Sequence, residues 1–431
     1  MTLGWLAIVR LGLVQMALGA VVVLTTSTLN RLMVVEYALP AVIPGLLVAL
    51  HYGIQITRPN WGFLSDTGGR RSFWIVVGMA ALALGALGAT VGVILVEQSF
   101  AVAMTLSALA YALIGVGVGA SGTSLLALLA TATAPERRAA AATITWLMMI
   151  AGIALTAATA GAFLDPYSPA RLLQIVGIVC VGAVALTVLA IWGIERRTGP
   201  EPVPTPDRRQ PFIEGLSEIW AEAPARNFTI FVFLSMTAYF MQELILEPYA
   251  GLVFGFTPGQ STMLSGAQNG GVFLGMLTVG IAASGFRLGS LRTWVAAGCL
   301  GSSASLVAIA LAGRFGAADA LLPATVALGV FNGMFAVAAI GSMMALAGTG
   351  RRAREGTRMG LWGAAQAVAA GFGGLVGAAS VDVVRLVSPS DASAFGSVFL
   401  AEALLFASAA VLALRVIAPG RAGASAMIPG E

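Results

Sequence analysis

The sequence predicts an all-α membrane protein with about twelve transmembrane helices arranged in two six-helix halves. Three observations predict it: an apolar, charge-poor composition, a series of apolar runs of spanning length, and one long proline- and arginine-rich break between the sixth and seventh runs. Of 431 residues, 58% are hydrophobic and 10% are charged, and the mean hydropathy is +0.92. Soluble domains average about 25% charged residues. A chain this apolar has too little polar surface to cover itself in water, so the lipid bilayer is its solvent. The composition argues against a soluble enzyme, a nucleic-acid reader and a secreted disulfide scaffold. The net charge of +4 comes from 23 basic residues, all of them arginine, against 19 acidic ones. Cys180 and Cys299 both lie in apolar stretches and read as small buried hydrophobes.

A spanning helix needs about 20 apolar residues. The first half supplies Trp5–Leu29, Pro40–Thr57, Phe73–Val96, Ala101–Ala132, Ala141–Leu164 and Leu172–Ile194. The second supplies Phe228–Phe254, Gly259–Ser284, Leu291–Ala312, Ala317–Ala347, Met359–Leu386 and Ala394–Ile417. Ala101–Ala132 and Ala317–Ala347 are long enough to tilt or to project beyond the lipid. Met1 to Val9 carries no charged segment of the signal-peptide type, so the first run is expected to be a retained helix.

Between the halves lies Glu195–Asn227, with Pro200, Pro202, Pro204 and Pro206 among arginines, which reads as an extended, solvated linker. Within it, Phe212, Ile213, Leu216, Ile219 and Trp220 recur at helical spacing, which predicts a short interfacial helix over Pro211–Arg226. The expected organisation is therefore 1–194, a linker over 195–227, and 228–431 with a short tail. Placing both termini in the cytoplasm puts eighteen arginines on that side and four on the other, Arg31 among the four, with Arg10 inside the first span. That bias predicts the orientation.

The loop after the second run reads Gly62-Phe-Leu-Ser-Asp66-Thr-Gly-Gly69-Arg70-Arg71. Gly62 allows two helix ends to approach, Asp66 offers a carboxylate at a helix end, Gly69 turns the chain, and Arg70 and Arg71 hold the cytoplasmic face. The string is similar to the G-x-L-x-D-x-x-G-R-R signature of the major facilitator superfamily, which implies a conformational-coupling role for these five residues. The equivalent second-half loop keeps Gly275, Gly285, Arg287 and Arg292 but lacks the acid. Gly115-Val-Gly117-Val-Gly119 lies inside an apolar run with no strand before it, so it is no dinucleotide loop. The pairs Gly115/Gly119, Gly88/Gly92 and Gly373/Gly377 are spaced for close helix contact.

Three further strings are more specific: Thr28-Leu-Asn30-Arg31-Leu-Met-Val-Val-Glu36, Gln242-Glu243-Leu-Ile-Leu-Glu247-Pro248-Tyr249, and Arg354-Glu-Gly356-Thr-Arg358-Met359-Gly360-Leu-Trp362-Gly363-Ala-Ala-Gln366. Together they resemble the bacteriochlorophyll delivery family, the PucC-type branch of that superfamily, over nearly the whole chain. Glu243 stands where the family pattern has Asp, which keeps the acid. The resemblance implies a factor of anoxygenic phototrophic bacteria that handles bacteriochlorophyll or a late precursor. It also implies light-harvesting polypeptides or a pigment-synthesis enzyme as partners, and a cytoplasmic or intracytoplasmic photosynthetic membrane as location.

Polar groups inside spans are costly and are functional candidates by default. Glu243 and Glu247 lie four residues apart, on one face of the seventh run. Two carboxylates in a dry site do not both ionise readily, so one is expected to be protonated or paired with an intramembrane cation such as Arg10. The alternative places Glu247-Pro248 at a wet helix end. His51, the single histidine, is a candidate axial ligand for a chlorophyll magnesium or a packing residue. Gln268, Asn269, Asn332 and Gln366 are further ligand candidates, or partners in interhelical hydrogen bonds. Trp362 and Gln366 share a helix face that suits a flat macrocycle and equally suits ordinary packing. The Arg351, Arg352, Arg354 and Arg358 cluster is expected to set topology and meet anionic headgroups, with docking of a partner as the alternative.

Three functions follow as expectations: a pigment-handling assembly factor, a proton-coupled small-molecule transporter using Glu243, and a non-transporting scaffold. No nucleophile–base constellation or nucleotide loop is apparent, so no enzyme activity is expected.

Overall fold

The computed structural model describes the chain apart from residues 1–2, 59, 62–63, 65–69, 135–136, 195–219, 287, 349–354 and 418–431. Among the described residues, twelve long helical runs follow one another and no strand occurs. We number them α1 Trp5–Glu36, α2 Val42–Thr57, α3 Arg71–Ile94, α4 Phe100–Ala132, α5 Arg138–Leu164 and α6 Pro169–Ile191, then α7 Ala223–Phe254, α8 Pro258–Val279, α9 Leu291–Phe315, α10 Ala318–Gly348, α11 Glu355–Arg385 and α12 Asp391–Val416. A π-helical turn, Gly280–Gly285, extends α8. Ten of the twelve carry stretches long and apolar enough to cross a membrane. The other two are α2, which is shorter, and α8, which carries Gln260, Ser261, Thr262, Ser265, Gln268 and Asn269.

Local sequence explains several helix ends. Ser168, Ser290 and Ser390 stand just before α6, α9 and α12, and each side chain accepts from the backbone N–H three residues on, at 3.2, 3.1 and 3.3 Å. Those N–H groups have no partner within the helix, so a serine oxygen at this position satisfies one of them. Gly316 closes α9 at φ 64°, a left-handed conformation that glycine adopts without a Cβ clash.

The described chain forms two compact units. One comprises Met1–Pro204 with Glu243–Asn269, and the other Thr205–Gln242 with Gly270–Glu431. The expected boundaries at 194 and 228 follow chain order, whereas the packing groups the end of α7 and the start of α8 with the first six helices. In the first unit, α1 packs on α5 and α6, α3 packs on α4 and α6, and α2 packs on α4. Glycine makes these approaches close: a Cβ at Gly115 would lie 2.7 Å from the His51 carbonyl, and one at Gly266 would lie 2.7 Å from the Ala158 backbone nitrogen. In the second unit, α9 packs on α10 and α12, and α11 packs on α12. Gly373 and Gly377 bring α11 against α7, where an added Cβ would lie 2.7 Å from the Thr237 and Met241 carbonyls respectively. That is the contact their spacing predicts.

Two expectations need correction. The first span does not end at Leu29. It continues as helix to Glu36, interrupted by two π-helical turns, Leu24–Thr28 and Leu32–Glu36. Arg31 is therefore a helical residue, 2% exposed, and not a loop charge. Arg10 also does not pair with the α7 carboxyls. Its guanidinium donates to the Leu189 and Trp192 carbonyls at 3.2 and 2.6 Å, where it satisfies the orphan acceptors at the end of α6. Of the loop signature, Gly62, Asp66 and Gly69 lie outside the described residues. Arg70 is exposed, and Arg71 donates to Thr131 on α4. Most of the expected interfacial helix, and Arg351, Arg352 and Arg354, also lie outside the described residues.

Candidate functional site

The first unit contains a buried polar seam where the last three turns of α1 meet the end of α7 and the start of α8. It begins with a backbone defect. Pro248 has no N–H, so the Leu244 carbonyl one turn earlier loses its helical donor. The Asn30 side chain replaces that donor, with Nδ2 donating to the Leu244 oxygen at 2.8 Å. Asn30 is 1% exposed. An unpaired carbonyl at this depth would cost about 1–3 kcal/mol. This bond physically joins two of the sequence strings, Thr28–Glu36 and Gln242–Tyr249.

Around it, hydroxyls face carboxyls. Ser27 donates to Glu247 Oε1. Ser27 and Ser265 hydroxyls lie 3.1 Å apart, and those of Thr28 and Thr262 lie 3.3 Å apart. Thr26 lies within hydrogen-bonding reach of the half-buried Glu243. The π turn over Leu24–Thr28 breaks the regular helical ladder, and the Tyr111 hydroxyl of α4 donates to the Thr25 carbonyl there at 2.7 Å. Arg31 closes the far end of the seam. It pairs with Glu36 and donates to the Phe256 carbonyl at 2.7 Å. The loops after α5 and α7 meet. There the Asp165 carboxylate accepts from the Thr257 hydroxyl and, at 3.1 Å, from the Gly259 N–H. In the same loop, burial and the Tyr37 hydroxyl 3.5 Å away push the Tyr167 phenol up from its ordinary range.

The structure thus brings Glu243 and Glu247 onto one seam. Asn269 sits one turn along α8, donating to the Ser265 carbonyl at 3.0 Å, and Gln268 beside it is half-buried. Glu247 is 2% exposed, so the alternative that places it at a wet helix end does not hold. His51 belongs to the same unit but to a different contact. Its Nε2 lies 3.1 Å from the Gln55 amide, whose oxygen accepts from Arg58. At 1% exposure the ring has no open face, so axial ligation of a macrocycle there requires its neighbours to move aside.

The remaining candidates belong to the second unit. Asn332 is buried and accepts from Ser302 at 2.7 Å, and its Nδ2 has no partner among the described residues. Trp362 is fully buried, donates to Thr229 at 3.1 Å and meets Phe228 edge-on at 4.9 Å. Gln366 lies 3.6 Å from the Met236 sulfur. The shared Trp362–Gln366 face therefore packs on α7.

Sequence reasoning missed Thr26, Ser27, Asn30, Arg31, Glu36 and Ser265. Pro248 was the available signal, since a proline inside an apolar helix demands an outside donor. It also missed Glu402 on α12, which is fully buried with both carboxyl oxygens unpartnered among the described residues. A lone acid inside an apolar run was itself the signal there.

Comparison with known proteins agrees with this architecture. The family model described as PUCC protein matches residues 28–420. The bacteriochlorophyll synthase 44.5 kDa chain of Rhodobacter capsulatus is 67% identical over 433 residues, covering 100% of both chains. Protein PucC of Cereibacter sphaeroides is 30% identical over 412 residues, covering 90% of this chain and 86% of that protein. Among solved structures, an inward-facing, unoccupied bacterial homologue of the human lysosomal transporter Spinster has a TM-score of 0.68 at 14% identity, covering 95% of this chain and 97% of its own. The nucleoside transporter NupG has a TM-score of 0.70 at 12% identity, covering 96% of this chain and 100% of its own. At such identities the likeness concerns the fold, which is that of the major facilitator superfamily. The chain is a multi-pass membrane protein, and it belongs to the PUCC protein family.

Proposed function

We propose that this protein is a membrane assembly factor that binds bacteriochlorophyll or a late precursor and delivers it for assembly of light-harvesting or photosynthetic complexes. The observation that carries the proposal is the 67% identity, over the full length of both chains, to a protein named as one chain of bacteriochlorophyll synthase. In this reading the chain catalyses no covalent step. It presents pigment beside a pigment-synthesis enzyme or to light-harvesting polypeptides. Its place is the bacterial cytoplasmic or intracytoplasmic photosynthetic membrane, with both termini cytoplasmic, supported by the arginine distribution. The two sequence halves, 1–194 and 228–431, act as the two arms of the fold, with Gly62, Asp66, Gly69, Arg70 and Arg71 coupling them. In the first unit the candidate pigment-facing groups are His51, Glu243, Glu247, Gln268 and Asn269; in the second they are Asn332, Trp362 and Gln366. The buried ones, His51, Glu247, Asn332 and Trp362, reach pigment only when their packing partners move aside.

The test is the absorption spectrum of the protein purified in mild detergent from a pigment-producing host. The proposal expects a stoichiometric bacteriochlorophyll band that weakens in His51→Ala, Glu243→Ala or Gln366→Ala. A colourless preparation that still co-purifies with light-harvesting polypeptides or the synthase overturns stable pigment binding and favours a non-transporting scaffold. The Glu243 and Glu247 carboxyls on one seam favour a second reading, a proton-coupled small-molecule transporter. That reading expects pH-driven uptake of a solute into proteoliposomes by colourless protein.

A further inference from the structure

We propose that the α1–α7–α8 seam is a proton-binding site, with Glu247 holding the proton while the seam is closed and releasing it to bulk water when the seam opens. The seam holds three carboxyls, Glu36, Glu243 and Glu247, and one guanidinium, Arg31. Arg31 is close enough for its charge to act on Glu247, but its two terminal nitrogens donate to Glu36 and the Phe256 carbonyl, and its Nε is buried with no partner among the described residues. The Arg31–Glu36 pair is neutral, and among the described residues no ion pair joins Glu243 or Glu247 to a cation. The α8 segment of the seam, Pro258–Asn269, contains no charged side chain. On α4 the nearest titratable group is Tyr111, engaged with the Thr25 carbonyl. On the α5–α6 loop it is Asp165, engaged with Thr257 and Gly259.

A second observation concerns unmet hydrogen bonds. Glu247 accepts from Ser27 at Oε1, but its Oε2 is buried with no partner among the described residues. Asn30 Oδ1 is also buried with no donor, on a side chain fixed one turn away by its bond to the Leu244 carbonyl. An ionised carboxylate only accepts, so it leaves both oxygens unsatisfied. A protonated carboxyl supplies one O–H donor to a seam in which Asn30 Oδ1 lacks one. The proton removes an uncompensated buried charge, which is the larger cost. Opening the seam admits water, which solvates the carboxylate and takes the proton. The site is therefore occupied at low pH with the seam closed, and it empties as pH rises and the seam opens. It is independent of pigment, so colourless protein serves for its test.

The experiment is infrared difference spectroscopy of the detergent-purified full chain across pH, combined with thiol labelling of a seam position. A carboxylic-acid C=O stretch distinct from that of Glu402 is expected at low pH. It should be lost in Glu247→Gln, retained in Glu243→Gln and shifted in Glu247→Asp. The Asp variant keeps the test open if the Gln variant does not fold. In a Thr262→Cys background, the native Cys180 and Cys299 are buried and contribute little. Maleimide labelling of that cysteine, relative to the same protein carrying Glu247→Gln, is expected to rise with pH. This ratio removes the pH dependence of the thiol itself. No acid band attributable to Glu247 at any pH overturns the proton site. A labelling ratio flat with pH overturns its coupling to seam opening.

Discussion

A single helix, α7, meets two chemistries, and the contrast explains where this fold is fixed and where it is poised. Its first part, in the second unit, is held by rings and glycines: Phe228 against Trp362, Phe231 against Phe335 at 6.3 Å, and Gly373 and Gly377 under its backbone. Phe335 in turn meets Phe406 at 6.1 Å. Its last part, in the first unit, is held by hydroxyls, an amide and a guanidinium around two carboxyls and a proline. Close-packed rings and backbones have one good arrangement. Hydrogen bonds from side chains to carbonyls and carboxyls have a near-equivalent partner in water. On the proposal above, the seam is the part of α7 that yields to water, and the ring cluster is the part held by close packing.

The comparison can be broken first at the ring cluster. Trp362→Ala removes the largest fully buried side chain and is expected to cost about 3–5 kcal/mol, read by reversible unfolding in mixed micelles. A cost below that of any single seam substitution would contradict the division of labour. Arg31→Met comes next. It leaves Glu36 without its cation and the Phe256 carbonyl without its donor. A fully buried pair would lose about 3–5 kcal/mol. Glu36 is 36% exposed and water offsets part of that, so about 2 kcal/mol is expected. The same substitution should leave the Trp362 fluorescence environment unchanged. The smallest effect sharpens the contrast from outside both regions. Arg385→Ala breaks a 2.8 Å ion pair with Asp391 whose partners are 35% and 34% exposed, and it should shift stability by about 0–1 kcal/mol.

Most of the fold was legible in the sequence because hydropathy reports lipid exposure directly. The expected Leu291–Ala312 and the observed Leu291–Phe315 differ by three residues, and Ala101–Ala132 differs from Phe100–Ala132 by one. The seam was legible only in part. Glu243 and Glu247 stood out as acids in an apolar run, but their partners were invisible as partners. Thr26 and Ser27 look like filler in an apolar helix, and Arg31 looks like a loop charge until burial shows otherwise. The expected first span stops at Leu29 because Asn30 and Arg31 follow it. Both side chains find carbonyl partners on or just after α7, Leu244 and Phe256, and that is tertiary information. Arg10 failed for the opposite reason. An electrostatic argument sent it toward a carboxylate, while the unpaired carbonyls at the end of α6 were closer.

The central claim is that Asn30 stands in for the N–H that Pro248 lacks, so that two separate strings of the sequence form one contact. A double-mutant cycle on Asn30→Ala and Pro248→Ala, read by unfolding free energy, tests it most directly. Asn30→Ala is expected to cost about 1–3 kcal/mol with Pro248 present. The cost should fall sharply in the Pro248→Ala background, where the restored backbone N–H serves the Leu244 carbonyl. Equal costs in the two backgrounds would contradict the account, because the amide would then be contributing packing alone.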